Sequence, residues 1–197
     1  EDTPLVVDLF TFDIDGDELT LEASVDGNGS VSITDDILTL TPDQDYNGSI
    51  IVTVEVSDGE LLDNTSFTVT VNPINDAPIL DDIVAQSIEE DASLILTLSA
   101  TDVDDGDSLT YAASVDGNAD VTVDGENLTV TPFDNFNGGI SVSVLVTDLE
   151  GLSDSQVFVL TVTPVNDAPV IENISDQEVN EDTPLVVDLF TFDIDGD

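Results

Sequence analysis

The chain has 197 residues, of which 45 are Asp or Glu, and it contains no Lys, Arg or His, so its formal charge is −45. Proteins recognise nucleic-acid phosphates and anionic membranes through Lys and Arg, so both classes of partner are excluded. The hydrophobic share of 40% and the mean hydropathy of +0.13 argue against a disordered chain. No apolar run of about 18 residues predicts a membrane-spanning helix.

A repeat organises the sequence. Residues 1–17 recur unchanged as residues 181–197, and a weaker copy of the same motif begins at Glu90. Residues 38–60 resemble residues 128–150 in the same register. Self-similarity at a period of about 90 residues predicts a tandem array of one structural unit. Because the last residues repeat the first, we expect the chain to be part of a longer array.

Apolar and polar residues alternate within each repeat, which is the pattern of half-buried β-strands. The first repeat shows this alternation over residues 50–57 and 66–71, and the second shows it over residues 140–147 and 158–162. In the complete middle repeat we predict seven strands in chain order, near residues 79–87, 93–99, 108–115, 119–123, 127–131, 139–148 and 155–163.

Seven short strands joined by Gly, Asp and Asn turns predict an immunoglobulin-like sandwich. The predicted fold class is therefore all-β, with seven-stranded β-sandwiches in tandem, arranged head to tail. Residues 1–77 are predicted to form a repeat that lacks its first strand. Residues 78–168 form the complete repeat, and residues 169–197 supply the first two strands of a third.

The acidic residues collect in loops and linkers, which a seven-strand sandwich places at its two poles. The loops after the second and sixth strands lie at the N-terminal pole, and those after the first and fifth strands lie at the C-terminal pole, beside the exit linker. The N-terminal poles carry Asp13, Asp15, Asp17, Asp58, Asp102, Asp104, Asp107, Asp148, Asp193 and Asp195. The C-terminal poles and linkers carry Glu1, Asp43, Asp45, Asn75, Asp76, Glu90, Asp134, Asn135, Asn166, Asp167 and Glu181.

Head-to-tail stacking would bring each C-terminal pole against the next N-terminal pole. Calcium takes about six to eight oxygen ligands at flexible geometry, so the predicted clusters suit this ion. Zinc is disfavoured because His and Cys are missing, and magnesium rarely uses an all-protein cage. One predicted calcium site combines Glu1, Asp43, Asp45, Asn75 and Asp76 with Asp102, Asp104 and Asp148. The other combines Glu90, Asp134, Asn135, Asn166 and Asp167 with Asp193 and Asp195.

Simpler explanations of the acidic loops compete with calcium. Asp, Asn and Gly are ordinary turn residues, and a spread of carboxylates can serve solubility alone. The repetition of the whole constellation in register favours calcium over both. Two carboxylates could also serve a glycosidase, but the chain has no His, Lys or Cys as general base or nucleophile. No enzymatic activity is predicted.

Several motifs resemble those of one family. They are Glu-Asp-Thr-Pro at 1–4 and 181–184, the Asp-x-Asp loops, Tyr-Asn-Gly at 46–48, Phe-Asn-Gly at 136–138, Ser-Asp-Gly at 57–59, and Asn-Asp-Ala-Pro at 75–78 and 166–169. With them the chain resembles cadherins, and more closely the bacterial cadherin-like tandem repeats of giant surface adhesins. The resemblance implies cadherin-like sandwiches with calcium bound between domains by the matching glutamate, Asp-x-Asp, loop-acid and linker Asn-Asp positions named above.

The expected function is mechanical. We expect a calcium-rigidified extender or stalk of a secreted or cell-surface adhesin, or of an extracellular fibre, from a bacterium. The expected partners are neighbouring repeats of the same chain and, through exposed strand edges, other copies in lateral fibres. A carbohydrate- or protein-binding module of a secreted protein is the alternative. The near-identity of alternate repeats favours spacing over recognition, because a binding site needs a distinctive surface.

Overall fold

A computed structural model describes residues 1, 3–104, 106 and 108–195 of the chain. These residues form strands, turns and irregular segments, and none of them lies in a helix. Within this described part, no helix has the length and apolar character needed to cross a membrane. The chain divides into two compact units, Glu1–Asp76 (unit 1) and Ala77–Asp197 (unit 2). The all-β prediction is confirmed.

Unit 1 is a sandwich of two antiparallel sheets. Its strands, within the described residues, are β1 (Leu5–Asp8), β2 (Thr20–Val25), β3 (Gly29–Thr34), β4 (Ile37–Pro42), β5 (Gly48–Ser57) and β6 (Leu62–Val71). One sheet has the order β1-β4-β3 and the other β2-β5-β6, so β6 is an edge strand. The core between the sheets includes Leu38 and Leu40 from β4 and Ile50 and Val52 from β5.

Unit 2 repeats this plan with additional strands. They are β7 (Ile79–Leu80), β8 (Gln86–Glu89), β9 (Leu94–Thr97), β10 (Ala100–Thr101), β11 (Thr110–Val115), β12 (Ala119–Asp124), β13 (Asn127–Pro132), β14 (Gly138–Thr147), β15 (Ser153–Thr163), β16 (Val170–Ile171) and β17 (Thr191–Phe192). The larger sheet has the order β11-β14-β15-β8, and the facing sheet has the order β12-β13-β9. Strand β8 runs parallel to β15, and the other pairs are antiparallel.

The period-two pattern explains the core of unit 2. Ile140, Val142, Val144 and Val146 on β14 are fully buried, and the residues between them are more exposed. Burial of a Val or Ile side chain contributes about 1.5–3 kcal/mol. The alternation seen in the sequence therefore marks the face of β14 that packs against the opposite sheet.

The first strand predicted for the middle repeat, near residues 79–87, differs from the structure. It is divided into β7, which pairs with β10, and β8, which pairs with β15. Between the two strands, the backbone N–H of Ile83 donates to the Gln156 side chain at 2.9 Å. The segment leaves one sheet and joins the other, so a single continuous strand is impossible.

The predicted third repeat, residues 169–197, forms little regular structure. Strands β16 and β17 pair through two residues each, and residues 172–190 contain no strand. In the middle repeat, β9 is held by β13 and β8 by β15. Residues 169–197 include no counterpart of β13 or β15, which explains why the second strand predicted for this segment, the counterpart of β9, does not form.

Candidate metal centre

Glu90 lies at the C-terminal end of β8 and is 5% exposed. Its backbone N–H donates to the Thr163 carbonyl at 2.9 Å, which extends the pairing of β8 with β15. Its Oε1 accepts the N–H of Val165 at 2.5 Å, and its Oε2 accepts the side-chain amide of Asn137 at 3.4 Å. One carboxylate therefore joins the end of β8 to the linker that follows β15 and to the turn that precedes β14.

Glu1 has the same position in unit 1. It is buried, and its Oε1 accepts the N–H of Ile74 at 3.1 Å. Its Oε2 is buried and has no hydrogen-bond partner. An unpaired buried carboxylate oxygen is costly, and the chain has no Lys, Arg or His that could compensate it.

The Asp-x-Asp loops are Asx turns in all three copies. Oδ1 of the first aspartate accepts backbone N–H groups: Asp13 from Asp15 at 2.7 Å, Asp102 from Asp104 at 3.0 Å, and Asp193 from Asp195 at 3.0 Å. Asp13 accepts two further N–H groups, from Gly16 at 2.8 Å and Asp17 at 3.2 Å. The first aspartate of each loop is thus an ordinary turn residue whose side chain binds the local backbone.

Three carboxylates converge in unit 2. Glu90 at the end of β8, Asp167 in the linker and Asp195 after β17 each place one carboxylate oxygen within 4.8 Å of the others. The backbone N–H of Asp167 donates to Oδ2 of Asp195 at 2.6 Å, which fixes the Asp-x-Asp loop on the linker. The side chain of Asn166 donates to the Asp167 carbonyl at 2.8 Å and orders the linker itself.

The electrostatics of this cluster are repulsive. Loss of hydration raises the pKa of Asp167, and the Asp195 carboxylate, followed by those of Asp91, Glu90 and Asp193, raises it further. Like charges at this separation disfavour simultaneous ionisation. A bound divalent cation would reverse the sign of the interaction.

A cavity of about 390 Å³ lies beside Asp195, one of the three converging residues. Its lining includes the side chains of Asn135, Asn137 and Asn166 together with Asp195. Amide and carboxylate oxygens are hard donors of the kind that calcium prefers. The residues present therefore fit calcium, and zinc would find none of the His or Cys ligands that it usually takes.

The structure brings some of the residues predicted for the second calcium site together and leaves others apart. Glu90, Asp167 and Asp195 converge, Asn135 and Asn166 line the adjoining cavity, and Asp193 builds the turn. Asp134, by contrast, is exposed and is absent from the converging group. Glu181 is exposed, whereas its repeat equivalents Glu1 and Glu90 are buried.

The other predicted residues serve local structure or stay untested. Asp58 Oδ1 accepts the N–H groups of Glu60 and Leu61 at 2.8 and 2.7 Å, and these bonds lower its pKa. Asp148 is buried and accepts the N–H groups of Gly151 and Leu152 at 2.5 and 2.8 Å. Asp107 lies outside the described residues. The site predicted from Glu1, Asp43, Asp45, Asn75, Asp76, Asp102, Asp104 and Asp148 stays a prediction.

The sequence analysis missed two residues near the cluster. Asn137 donates to Glu90, and Asp91 accepts the N–H of Asn135 at 3.1 Å while raising the pKa of Asp167. Both positions repeat in the sequence. Asn47 matches Asn137, and an aspartate follows the glutamate in all three copies of the motif, after Glu1, Glu90 and Glu181.

Comparisons with known proteins agree with this architecture. Residues 1–72 match the model of the cadherin-like domain, and residues 75–161 match that of the bacterial Ig domain. The human protocadherin-24 EC1-2 structure, form II, has 20% identity and a TM-score of 0.53, and the match covers 82% of this chain and 88% of that one. The protocadherin gammaB7 EC3-6 cis-dimer structure has 18% identity and a TM-score of 0.50, with 83% and 45% covered.

An enzyme is also among the similar structures. The endo-fucoidan hydrolase MfFcnA4 from glycoside hydrolase family 107 has 22% identity and a TM-score of 0.35, and the match covers 84% of this chain. This chain spans about a quarter of that enzyme, 26% of its length, and the TM-score is too low to support any shared activity. No curated protein matches the chain.

Both domain classes are usually extracellular or surface-exposed and typically non-enzymatic, and cadherin-like domains commonly self-associate. At this level of identity the solved structures bear on the fold alone. The family models, the all-β sandwich and the acidic repeat motifs agree with one another. Residues 1–72 are therefore similar to the cadherin-like domain, and residues 75–161 are similar to the bacterial Ig domain.

Proposed function

We propose that the chain is a calcium-rigidified extender of a bacterial secreted or cell-surface adhesin, or of an extracellular fibre. The observation that carries the proposal is the convergence of Glu90, Asp167 and Asp195, within 4.8 Å, in a chain without a positively charged side chain. The three residues come from the end of one strand, from the linker and from the loop after it. A calcium ion held there would tie the linker to both of its neighbours.

Calcium would supply the positive charge that the chain lacks. Self-repulsion at a net charge of −45 opposes compaction, and bound cations offset it. Extracellular calcium modules bind the ion with dissociation constants of about 10⁻⁴–10⁻³ M. At a free calcium concentration a hundredfold above the dissociation constant, each site adds about 2.7 kcal/mol to the free energy of unfolding. That is large beside a domain stability of about 5–15 kcal/mol.

Repeat symmetry extends the proposal to the rest of the array. We assign the repeats to residues 1–77, 78–168 and 169–197, stacked head to tail, with lateral association into fibres. The buried Oε2 of Glu1 supports a second calcium site in the first repeat, because this oxygen has no hydrogen-bond partner. The ligands proposed for it are Glu1, Asp43, Asp45, Asn75 and Asp76 with Asp102, Asp104 and Asp148.

Calorimetric titration with calcium chloride tests the site at Glu90. Asp195→Asn should weaken or remove one class of calcium site, because the substitution removes a charged ligand and keeps the shape of the side chain. Asp120→Asn is the matched control, since Asp120 is an exposed carboxylate of β12 outside the cluster. Equal titration curves for the two variants would contradict the assignment of Asp195.

Thermal unfolding and small-angle scattering test rigidification. At fixed high sodium, calcium should raise the melting temperature and yield a longer, stiffer particle than chelator does. If sodium alone gives the same stability and shape, the carboxylates form a solvated acidic surface, and the extender is not rigidified by calcium.

A further inference from the structure

The larger sheet of unit 2 has an outer face without charge. On β11, β14 and β15, the residues that point away from the core alternate with the more buried ones. None of these outward residues is acidic, although 45 of the 197 residues of the chain are Asp or Glu. We call the outward residues of the three strands the neutral face.

Three aliphatic side chains form the centre of the neutral face. Leu145 on β14 is 40% exposed, and Val157 and Val159 on β15 are 65% and 49% exposed. Leu145 is the cross-strand partner of Ser155, so it lies diagonally across from Val157, two residues further along β15. Diagonal neighbours on one face are about 7–8 Å apart, within reach of a long side chain. The three side chains therefore form one apolar patch.

Unit 1 builds the same sheet with a charged outer face. Glu22 on β2 stands where unit 2 has Ala112. Glu55 on β5 stands where unit 2 has Leu145. In each unit the two residues lie directly opposite each other on neighbouring strands. Unit 1 thus keeps a like-charge pair that weakens a sheet, and unit 2 has replaced both of its members.

Two hydroxyl residues differ in the same direction. Ser66 on β6 stands where unit 2 has Val157, and the next outward residue, Thr68, stands where unit 2 has Val159. In unit 1 the Ser66 hydroxyl is hydrogen-bonded to that of Thr53 at 2.9 Å. Unit 2 gives up this bond and exposes a Val side chain instead. Four neighbouring positions have thus lost charge or polarity together.

The fold of the sheet does not require these changes. Strand propensity favours Val and so explains Val157 and Val159, but it does not explain Ala112, because Ala and Glu are both depleted in strands. Unit 2 is not more apolar at every outward position either, since Ile51 of unit 1, 45% exposed, is replaced by Ser141. The changes remove charge from one exposed patch, as a surface that another molecule covers would need.

From these differences we infer that the neutral face is a contact surface, and that its occupant is the neutral face of a second copy of the chain. The inference rests on the lateral association in the proposed function and names the surface that mediates it. A chain with a formal charge of −45 and no Lys, Arg or His cannot form side-chain ion pairs with a copy of itself. Two copies therefore meet most favourably where neither has a carboxylate.

A two-fold arrangement places the same residues on both sides of the contact. Packed sheets lie about 10 Å apart, with their strands inclined by about 30°. At a strand spacing of about 4.8 Å and a rise of about 3.4 Å per residue, β11, β14 and β15 present a face of roughly 450 Å². Stable interfaces commonly bury about 800 Å² per partner, so one pair of faces forms a weak dimer.

Carboxylates at the rim set the salt dependence of this contact. Glu89 on β8 pairs with Thr163 at one end of the face, and Asp116 follows β11. These groups repel their equivalents in the second copy, and molar salt reduces the screening length to about 3 Å. Salt should therefore strengthen the dimer, whereas it would weaken a contact made of ion pairs.

Sedimentation equilibrium in molar sodium chloride with calcium present tests the contact. The chain should form dimers in growing proportion as its concentration rises. The double variant Ala112→Glu and Leu145→Glu should weaken association more than about tenfold, because like charges would meet across the interface. The variant should still fold, since unit 1 has glutamate at both equivalent positions.

The double variant Ile95→Glu and Thr122→Glu is the charge-matched control. It adds two carboxylates to exposed positions of β9 and β12 on the facing sheet, and it should associate like the unmodified chain. A chain that stays monomeric at every concentration, or equal weakening by the two double variants, would overturn the inference.

An engineered thiol locates the face directly. The chain has no Cys, so Ser155→Cys supplies a single thiol on the neutral face. A short bis-maleimide should link two copies of this variant much faster than two copies of Asn64→Cys, which carries its thiol at the equivalent exposed position of unit 1. Equal rates of linkage would contradict the assignment.

The melting temperature with calcium and with chelator, measured on the same samples, reports on the extender separately. Loss of dimers with intact calcium stabilisation contradicts the neutral face alone. Dimers that the glutamate variant abolishes, in a chain that calcium does not stabilise, support the neutral face and contradict calcium rigidification.

Discussion

The backbone N–H of Val165 donates to Oε1 of Glu90, which lies 75 residues earlier in the chain. Unit 1 contains the same bond between Ile74 and Glu1. In both units a buried glutamate therefore holds the exit linker against the start of the domain. This role needs a hydrogen-bond acceptor at that position, whereas a calcium ligand needs a negative charge. The two roles can be separated by mutation.

Glu90→Gln is predicted to keep the linker bond and lose the metal. The amide oxygen still accepts the Val165 N–H, so the melting temperature in chelator should change little. In calcium, the variant should lose most of the stabilisation that the site at Glu90 provides, because the neutral amide is a weaker ligand. Differential scanning calorimetry at matched sodium measures both effects.

Glu90→Ala is the companion variant. It removes the acceptor as well as the charge, and it should cost about 1–3 kcal/mol even in chelator, because the part-buried hydrogen bond from the Val165 N–H to a charged acceptor is lost. If Glu90→Gln and Glu90→Ala destabilised the chain equally in chelator, accepting the Val165 N–H would not be the structural role of Glu90.

Some features of the fold followed from local sequence. The alternation over residues 140–147 predicts β14 because every second side chain is buried there. The division of 79–87 into β7 and β8 did not follow, since Ile79 to Ile88 carry no Gly or Pro, and the crossing depends on the distant Gln156.

Local sequence predicts the candidate site only in part, as it does the fold. Repeat register marked Glu90, Asp167 and Asp195 as a set, and the structure brings them together. Spacing could not distinguish Asp134 from its neighbour Asn135. Asn135 has a φ of 57° and binds Asp91 through its N–H, which leaves Asp134 exposed. The turn conformation decides which of the two residues lies beside the cluster. The sequence does not show that conformation, because Asp and Asn are both common in turns.

Gly138→Ala is predicted to destabilise unit 2. Gly138 has a φ of 140°, and a Cβ there would lie 3.2 Å from Cζ of the Phe136 ring, so the substitution combines backbone strain with crowding. The expected cost is about 1–3 kcal/mol. The neighbouring Gly139→Ala is the control, because its Cβ would meet Val159 at an ordinary 3.8 Å. Equal denaturant midpoints for the two variants would contradict the argument.

The two units should unfold in separate transitions, with unit 1 first, because its core along β6 is half-exposed. Leu80→Ala should then lower the free energy of unfolding of unit 2 alone by about 2–5 kcal/mol, because it leaves a cavity beneath β7. Only the later transition should move to a lower temperature. Ile79→Ala, at the exposed neighbouring position, should change that free energy by less than about 0.5 kcal/mol. Calorimetry resolves the transitions, and a shift of both by Leu80→Ala would show that the units unfold together.

Alkaline pH is predicted to destabilise unit 2 through Tyr111. Burial raises the pKa of its hydroxyl, and the Glu126 carboxylate raises it further. The folded chain therefore holds this proton at a pH where the unfolded chain, with a tyrosine pKa of about 10, has begun to release it. Stability is complete below the unfolded pKa and is lost as the pH rises from there through the folded pKa.

The composition makes this effect measurable. Because the chain has no Lys, Arg or Cys, tyrosine hydroxyls are its side-chain groups with an ordinary pKa in the alkaline range, and the chain has only two tyrosines. Tyrosinate absorbance should show one hydroxyl ionising later than in a denatured control, and Tyr111→Phe should remove that late step. The variant should also flatten the fall of the unit 2 melting temperature above pH about 10, since no proton is then released on unfolding at residue 111. An unchanged alkaline slope in Tyr111→Phe would assign the fall to growing repulsion elsewhere in the chain.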